Sequence, residues 1–553
     1  MQHVLTLHSP SAAREYYRTG VWQTDTLYSL LLKHARERDS AYALRDAAHR
    51  LTWAQLLAWV DAVAHDLDQA GVRPGERVSV WLPSRVEGMI VLLACSRNGY
   101  MCNPSLHQNY TVGEIVTLLS RIQARALFAQ VGYGADAKHH DVFERVREVT
   151  TLKRVYALPG AVTGAHAYPS ANAVTAGRAP DLDPDKVVYL AFTSGTTGTP
   201  KGVMHSDNTL LANGRAMVRD WHHDERTVLL SLSPSSHHIA TVALEQALAA
   251  GFELVLNDPA VGKPAIDWIE ECGATYVMGV PTHAIDIQAT MRARNQNKLG
   301  RVSVFYMAGA PIPKEIAQRF LNAGITPQNI YGMTENGSHQ YTLPADDAPT
   351  ITSTCGRACH GYEVKLWKQD NPDAEAMPGE VGEIGGRGGV LTLGYFAAQE
   401  VTENSFNAHG WFMSGDLGRF DEKGCLEIVG RKKDLIIRGG HNIYPARIED
   451  LAHRHPGVAK AAAVPVPDER LGERVCLAII PATGAQPGGQ ELLDHLHASG
   501  LSKYDMPEFF ICMTAFPLTA SGKILKRELA EWIRSGKIQP VPVRWREREE
   551  ARS

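Results

Sequence analysis

Short runs of apolar, β-branched and aromatic residues alternate along this chain with stretches whose apolar positions repeat at helical spacing. Residues 76–82 (Glu-Arg-Val-Ser-Val-Trp-Leu) read as a strand, and 86–98 as a helix. Residues 187–192 (Val-Val-Tyr-Leu-Ala-Phe) form a second strand-like run, and 251–256 and 274–278 read similarly, with 266–271 helical between them. This alternation predicts α/β layers with parallel or mixed sheets. No fixed-period repeat and no low-complexity segment interrupts it.

Towards the C-terminus the pattern changes. A helix is expected over 445–455, strands over 461–466 and 474–480, a helix over 490–497, a strand over 509–513 and a helix over 524–534. The charged cluster Arg431-Lys432-Lys433-Asp434 precedes this set and marks the expected boundary. The expectation is α/β overall: a large multi-sheet N-terminal domain over 1–432 and a small α+β domain over 433–553.

The chain has 553 residues, well beyond the roughly 100–200 of one domain, which supports the division. Its formal charge of −4 excludes a broad electrostatic footprint for nucleic acid. No apolar run approaches the roughly 20 residues of a membrane span; the longest candidate, 89–95, has the length of a core segment. The first residues lack the basic and apolar regions of a signal peptide. Eight cysteines without a CxxC read as reduced, mostly packed thiols, and a cytoplasmic protein is expected. Of three His-His pairs, 139–140 and 222–223 read as surface, and none suggests a metal site.

The chemistry concentrates directly after the 187–192 run, in Thr193-Ser194-Gly195-Thr196-Thr197-Gly198-Thr199-Pro200-Lys201-Gly202. Its glycines bring backbone N–H groups close to an anion, its hydroxyls add donors, and Lys201 adds charge. This is a phosphate cradle by composition. It is not a Walker loop, because Pro200 stands where the second glycine would and no GK[ST] follows.

That string, followed in order by four further segments, resembles the AMP-forming adenylating enzymes, which include acyl-CoA synthetases, luciferases and the adenylation domains of peptide synthetases. The resemblance runs from about residue 25 to 530. Tyr331-Gly-Met-Thr-Glu335 resembles the family's adenine and α-phosphate segment, and Trp411-Phe-Met-Ser-Gly-Asp416 its ribose segment. Gly430-Arg431 with Lys433 resembles the hinge, and Pro517-Leu-Thr-Ala-Ser-Gly-Lys523 the loop with the catalytic lysine.

The resemblance implies two half-reactions using ATP, Mg²⁺ and coenzyme A, with a mobile C-terminal domain turning at Lys433 between them. It implies that Lys523 bridges the acid's carboxylate and the α-phosphate, that Thr334 binds the α-phosphate and that Glu335 holds Mg²⁺. Thr193, Ser194, Gly195, Thr196, Thr197, Gly198 and Lys201 would cradle phosphate. Tyr331 would pack on adenine, Asp416 would take the ribose diol, and Arg431 would contact ribose or phosphate. Gly439 and Gly440 would line the channel for the pantetheine arm. The acid pocket would draw on His237, with the adjacent His238 leaving the register ambiguous by one, and on Ala308, Gly309, Ala310 and Gly332.

Amino-acid-activating relatives place an Asp in the segment matching Ser233-Pro-Ser-Ser-His-His238, and none stands there. An amino-acid substrate is therefore disfavoured, and the expected reaction is ATP-dependent ligation of a carboxylic acid to CoA. The expected acid is cyclic (alicyclic or aromatic) or of medium chain length. Segments 81–87 and 97–109 resemble ligases for alicyclic acids such as cyclohexanecarboxylate. The alternative is an acyl-AMP ligase that transfers to a carrier protein. The context of Lys523 also resembles synthetases switched off by lysine acetylation, which implies an acetyltransferase and a deacetylase as partners.

Overall fold

The computed structural model describes residues 5–171, 177–193, 200–310, 312–518 and 523–545. The chain forms two compact units: Met1–Val364 with Gly386–Phe412, and Lys365–Gly385 with Met413–Ser553.

Two large sheets build the first unit. In a seven-stranded sheet, Arg77–Trp81 lies parallel to Met101–Asn103 on one side and to Ala126–Gln130 on the other. Every residue of Arg77–Trp81 is buried, as expected of a parallel strand covered on both faces. The helix Val86–Asn98 is buried on nearly all sides, which explains the unbroken apolar run at 89–95. One edge of this sheet is the hairpin of Val187–Thr193 and Lys201–Ser206, whose register pairs Thr193 with Lys201. The phosphate string leaves and re-enters the sheet at that pair.

The second sheet has nine strands. Val228–Ser231, Tyr276–Gly279, Val304–Met307 and Thr326–Met333 run parallel as successive neighbours, so their carboxyl ends lie along one edge. The expected strand over 251–256 spans Glu253–Leu256, and the helix over 266–271 spans Ala265–Cys272.

In the second unit, helix Pro445–His453 precedes Val458–Asp468, which pairs antiparallel with Gly472–Pro481 along its length. Phe509–Cys512 then adds in parallel. Side chains alternate across these strands. Ala461, Ala463, Val475, Leu477 and Ile479 enter one core, and Ala462, Val464, Cys476 and Ala478 the other. Helix Lys526–Arg534 packs on the second core through buried Leu529.

No helix among the described residues is long and apolar enough to cross a membrane. All eight cysteines are described and none is in a disulfide. His139, His140 and His222 are exposed, as their surface reading expects. His223 is not: it turns inward and stacks on Tyr276, ring centroids 4.4 Å apart. The half-buried ring is held against the buried aromatic face of Tyr276.

Candidate active site

The carboxyl edge of the four parallel strands gathers the expected acid and α-phosphate residues of the first unit. In open α/β sheets this is the edge where ligands bind. Val228–Ser231 leads into the loop that ends at His237, and Val304–Met307 into Ala308, Gly309 and Ala310. Thr326–Met333 carries Tyr331 and Gly332 and runs into Thr334 and Glu335.

Thr334 and Glu335 sit in the tight turn between Thr326–Met333 and the antiparallel strand Gly337–Tyr341. Asn336 closes the turn, its Oδ1 accepting from the Met333 N–H at 3.1 Å. Gly332 is demanded by packing: a Cβ there would lie 1.8 Å from the Gly337 carbonyl oxygen. Tyr331 is buried and meets His339 edge to face, centroids 5.4 Å apart.

The turn is held from two sides. His205 Nε2 lies 2.7 Å from the Thr334 carbonyl oxygen, and its Nδ1 lies 3.0 Å from the Thr209 hydroxyl. Burial lowers the His205 pKa to about 4, so the ring is neutral and Nε2 carries the donated proton. On the other side, the Thr392 N–H donates to the Glu335 carbonyl oxygen at 2.6 Å. The Tyr395 hydroxyl donates to Glu335 Oε1 at 2.9 Å.

Tyr395 also carries Lys201, whose Nζ stands 4.8 Å from the centre of the tyrosine ring. One aromatic residue thus joins the lysine of the phosphate string to the carboxylate expected to hold Mg²⁺. Burial and the neighbouring Glu335 charge raise the Tyr395 pKa, so its hydroxyl stays a neutral donor. Nothing in the sequence singled out Tyr395. Its segment becomes legible only in three dimensions, where the Phe396 N–H donates to Gly202 and the Met204 N–H to Gly394.

Glu335 is a buried oxygen donor oriented by a hydrogen bond, the type Mg²⁺ selects when one or two carboxylates share it with phosphate oxygens. The donor chemistry fits the ion. Ser194, Gly195, Thr196, Thr197 and Gly198 lie outside the described residues.

His237 and His238 part company. His237 is half-buried and caps helix His238–Ala250, its side chain accepting from the Ile239 N–H. His238 is buried, with Nδ1 3.1 Å from the Tyr189 hydroxyl and its ring stacked on His205. The partly open ring is therefore His237. His107 stands beside it at 6.4 Å between centroids, with Nδ1 2.9 Å from the Ser236 hydroxyl. Burial lowers the His107 pKa to about 4. Ala308 is buried, while Gly309 and Ala310 are exposed; Gly309 has φ +87°, a conformation open to glycine.

The second unit holds the remaining expected residues. Asp416 on Phe412–Phe420 is paired in register with Arg431 on Leu426–Arg431. Their side chains form an ion pair, Arg431 Nε to Asp416 Oδ1 3.0 Å, with Asp416 buried and Arg431 exposed. Lys433 is exposed in the short turn Lys432–Asp434, and Lys432 pairs with Glu383 at 2.7 Å. Gly439 and Gly440 make a two-residue hairpin turn between Ile436–Arg438 and His441–Ile443, with φ +57° and +84°. Two successive positive φ angles define a tight turn that disfavours side chains at both positions. Lys523 is exposed.

Comparison with known proteins identifies the family. The sequence profile of the AMP-binding enzyme family matches residues 31–396, and that of the AMP-binding enzyme C-terminal domain matches 447–523. The chain belongs to the AMP-binding enzyme family. It is 28% identical to medium-chain fatty-acid–CoA ligase of Escherichia coli (strain K12), over 95% of this chain and 93% of that one. It is 31% identical to salicylyl-CoA synthase / salicylate adenylyltransferase of a Streptomyces species, over 96% and 97%. ATP-bound MatB from Rhodopseudomonas palustris superimposes with a TM-score of 0.78 at 27% identity, covering 92% of this chain and all of that one. The Escherichia coli and Streptomyces relatives carry the names of an acyl-CoA ligase and an acyl-CoA synthase, and the chain is an enzyme of that class.

Proposed function

We propose that the protein joins a cyclic or medium-chain carboxylic acid to coenzyme A at the expense of ATP. The acid's carboxylate oxygen attacks the α-phosphorus, the bond to pyrophosphate breaks, and an acyl-adenylate forms. The CoA sulfur then attacks the acyl carbonyl, AMP leaves with the bonding pair, and the thiol proton passes to solvent.

Both partners of the first step are anions, so the reaction needs fixed positive charge and oriented donors. Lys523 supplies the charge between carboxylate and α-phosphate, and Thr334 a hydroxyl donor. Lys201 faces the phosphates from the start of strand Lys201–Ser206, opposite Thr193, Asp416 takes the ribose diol, Arg431 contacts the nucleotide and Tyr331 packs on adenine. Mg²⁺ held by Glu335 supplies neutralising charge when ATP is bound. Lys433 serves as the hinge of the C-terminal domain, whose extent is 433–553, and Gly439 and Gly440 border the pantetheine arm. His237, Gly332 and the small residues Ala308, Gly309 and Ala310 shape the acid pocket. The observation that supports this reading is the Lys201–Tyr395–Glu335 constellation, in which one ring holds both the lysine assigned to phosphate and the carboxylate assigned to Mg²⁺.

The test is AMP formation with ATP, Mg²⁺ and CoA over cyclohexanecarboxylate, benzoate and linear acids from acetate to decanoate, with Lys523→Ala as control. CoA-dependent AMP release that peaks on cyclic or medium-chain acids and is lost in the variant supports the proposal. Hydroxylamine-trapped adenylate without CoA turnover would move the acceptor to a carrier protein.

Acetylation of Lys523 by an acetyltransferase, reversed by a deacetylase, would remove the charge needed at the α-phosphate and switch off a cytoplasmic pool of the enzyme. Mass spectrometry of protein from cells lacking deacetylases checks this. An unmodified Lys523 with the acetyltransferase active counts against it.

A further inference from the structure

The loop that bears Lys523 is tied down at its base. A bridge pairs Leu518 with Ile524, and the Leu525 N–H donates to the Pro517 carbonyl at 2.8 Å. Three residues after Lys523, Lys526 opens helix Lys526–Arg534. Its Nζ reaches across the small unit to Glu449 on helix Pro445–His453, 2.7 Å from Oε1 and 2.9 Å from Oε2. It also lies 3.9 Å from Asp434 Oδ2, at the end of the Lys432–Asp434 turn.

Glu449 is itself fixed, since Oε1 accepts from the Ala463 N–H at 2.7 Å. The pair is largely withdrawn from water, with side chains 21% and 15% exposed. The position of Lys526 is unusual for a cation. The first residue of a helix faces the positive end of the macrodipole, where lysine is disfavoured. Glu449 and Asp434 offset that cost, so a lysine here is matched to these two carboxylates and not to its own helix.

We infer that Lys526 is a positioning residue for Lys523: through Glu449 and Asp434 it locks the base of the catalytic loop to helix Pro445–His453 and to the hinge turn. The inference rests on the assignment of Lys523 to the adenylation step. A lysine that must stand between two anions is sensitive to its anchor, because a misplacement of about 1 Å costs on the order of 10²-fold in rate. Removing the Lys526 cation leaves Glu449 and Asp434 as like charges and frees the stem of the loop. Arginine keeps the charge and the reach.

The two half-reactions separate this role from simple stability. Adenylation is read by acid-dependent ATP–pyrophosphate exchange. Thiolation is read by CoA-dependent consumption of synthetic acyl-adenylate, a step to which Lys523 is not assigned. Lys526→Met and Glu449→Gln are expected to lower the kcat of exchange by about 10- to 100-fold while leaving thiolation and the KM for ATP near wild type. Lys526→Arg is expected to recover most of the exchange. Thiolation also reports folding of the variants.

Wild-type exchange in Lys526→Met overturns the inference, as does a loss shared equally by both half-reactions. If Lys523→Ala still exchanges, the role given to Lys523 falls and this inference with it. If Lys523→Ala is inactive and Lys526→Met is not, only the inference falls.

Discussion

The Tyr395 hydroxyl donates to Glu335 Oε1 at 2.9 Å while the same ring holds Lys201 Nζ 4.8 Å from its centre. Lys201 and Glu335 are therefore positioned by one residue that bears no charge. Removing only the hydroxyl, as in Tyr395→Phe, leaves the lysine contact and releases the carboxylate. The expected outcome is a loss of about tenfold in kcat/KM and a raised Mg²⁺ requirement, since a hydrogen bond to a charged group contributes about 1.5–3 kcal/mol. Tyr395→Leu removes both contacts and is expected to raise the KM for ATP as well. Mg²⁺ and ATP titrations of AMP formation distinguish the two variants, and equal titration curves would refute the double role.

Gly332 cannot carry a side chain. A Cβ would fall 1.8 Å from a backbone oxygen that is fixed by the strand pairing, so the hairpin bearing Thr334 and Glu335 must open. Gly332→Ala is expected to cost several kcal/mol, read as a fall in the denaturant midpoint, and to abolish AMP formation. Gly113, inside helix Val112–Arg121 with nothing near its missing Cβ, provides the contrast. Gly113→Ala, in the first turn, is expected to stabilise by at most about 0.5 kcal/mol with unchanged activity.

Five buried or half-buried histidines are expected to make the protein acid-labile. Burial lowers the pKa of His107, His205 and His223 to about 4 and that of His339 to about 3, and lowers that of His238 well below the ordinary value. Below an unfolded value of about 6.5 the unfolded chain binds more protons than the native one, so stability is lost as pH falls from there towards the folded values. Each such group contributes up to about 1.4 kcal/mol per pH unit in that window. Denaturant melts at pH 7, 6 and 5 should show a steep decline. His223→Phe keeps the stack on Tyr276 without a basic nitrogen and is expected to flatten it. An unaltered pH slope in that variant would refute the assignment.

Glu245 works in the opposite direction. It is buried in helix His238–Ala250, neither carboxyl oxygen has a hydrogen-bond partner among the described residues, and burial raises its pKa well above the ordinary value. The native state keeps this proton and the unfolded state releases it above a pKa of about 4.3, so stability declines as pH rises through that value towards the folded one. Glu245→Met removes the penalty. The gain over wild type is expected to widen with pH by up to about 1.4 kcal/mol per unit. Urea unfolding of both proteins between pH 5 and 8 measures it, and a gain independent of pH would show that the carboxyl does not retain its proton.

Local pattern determined much of this protein. The strands at 187–192 and 274–278, the helices at 86–98 and 266–271, and the alternation of the C-terminal unit all follow from apolar spacing that short-range backbone geometry reads directly. The candidate residues at 193–201, 331–335, 416, 431 and 523 were visible because contiguous motifs carry them. What the sequence left open was any relationship that spans the chain. Tyr395 stands 60 residues from Glu335 and far from Lys201 in sequence, and no period or motif links them. His237 and His238 are adjacent, yet helix geometry sends one to the partly open edge and the other against Tyr189 and His205. His223 looked like half of a surface pair until Tyr276 covered it. Such pairings are set by strand order and register, which depend on the packing of the whole sheet and have no local signature along the chain.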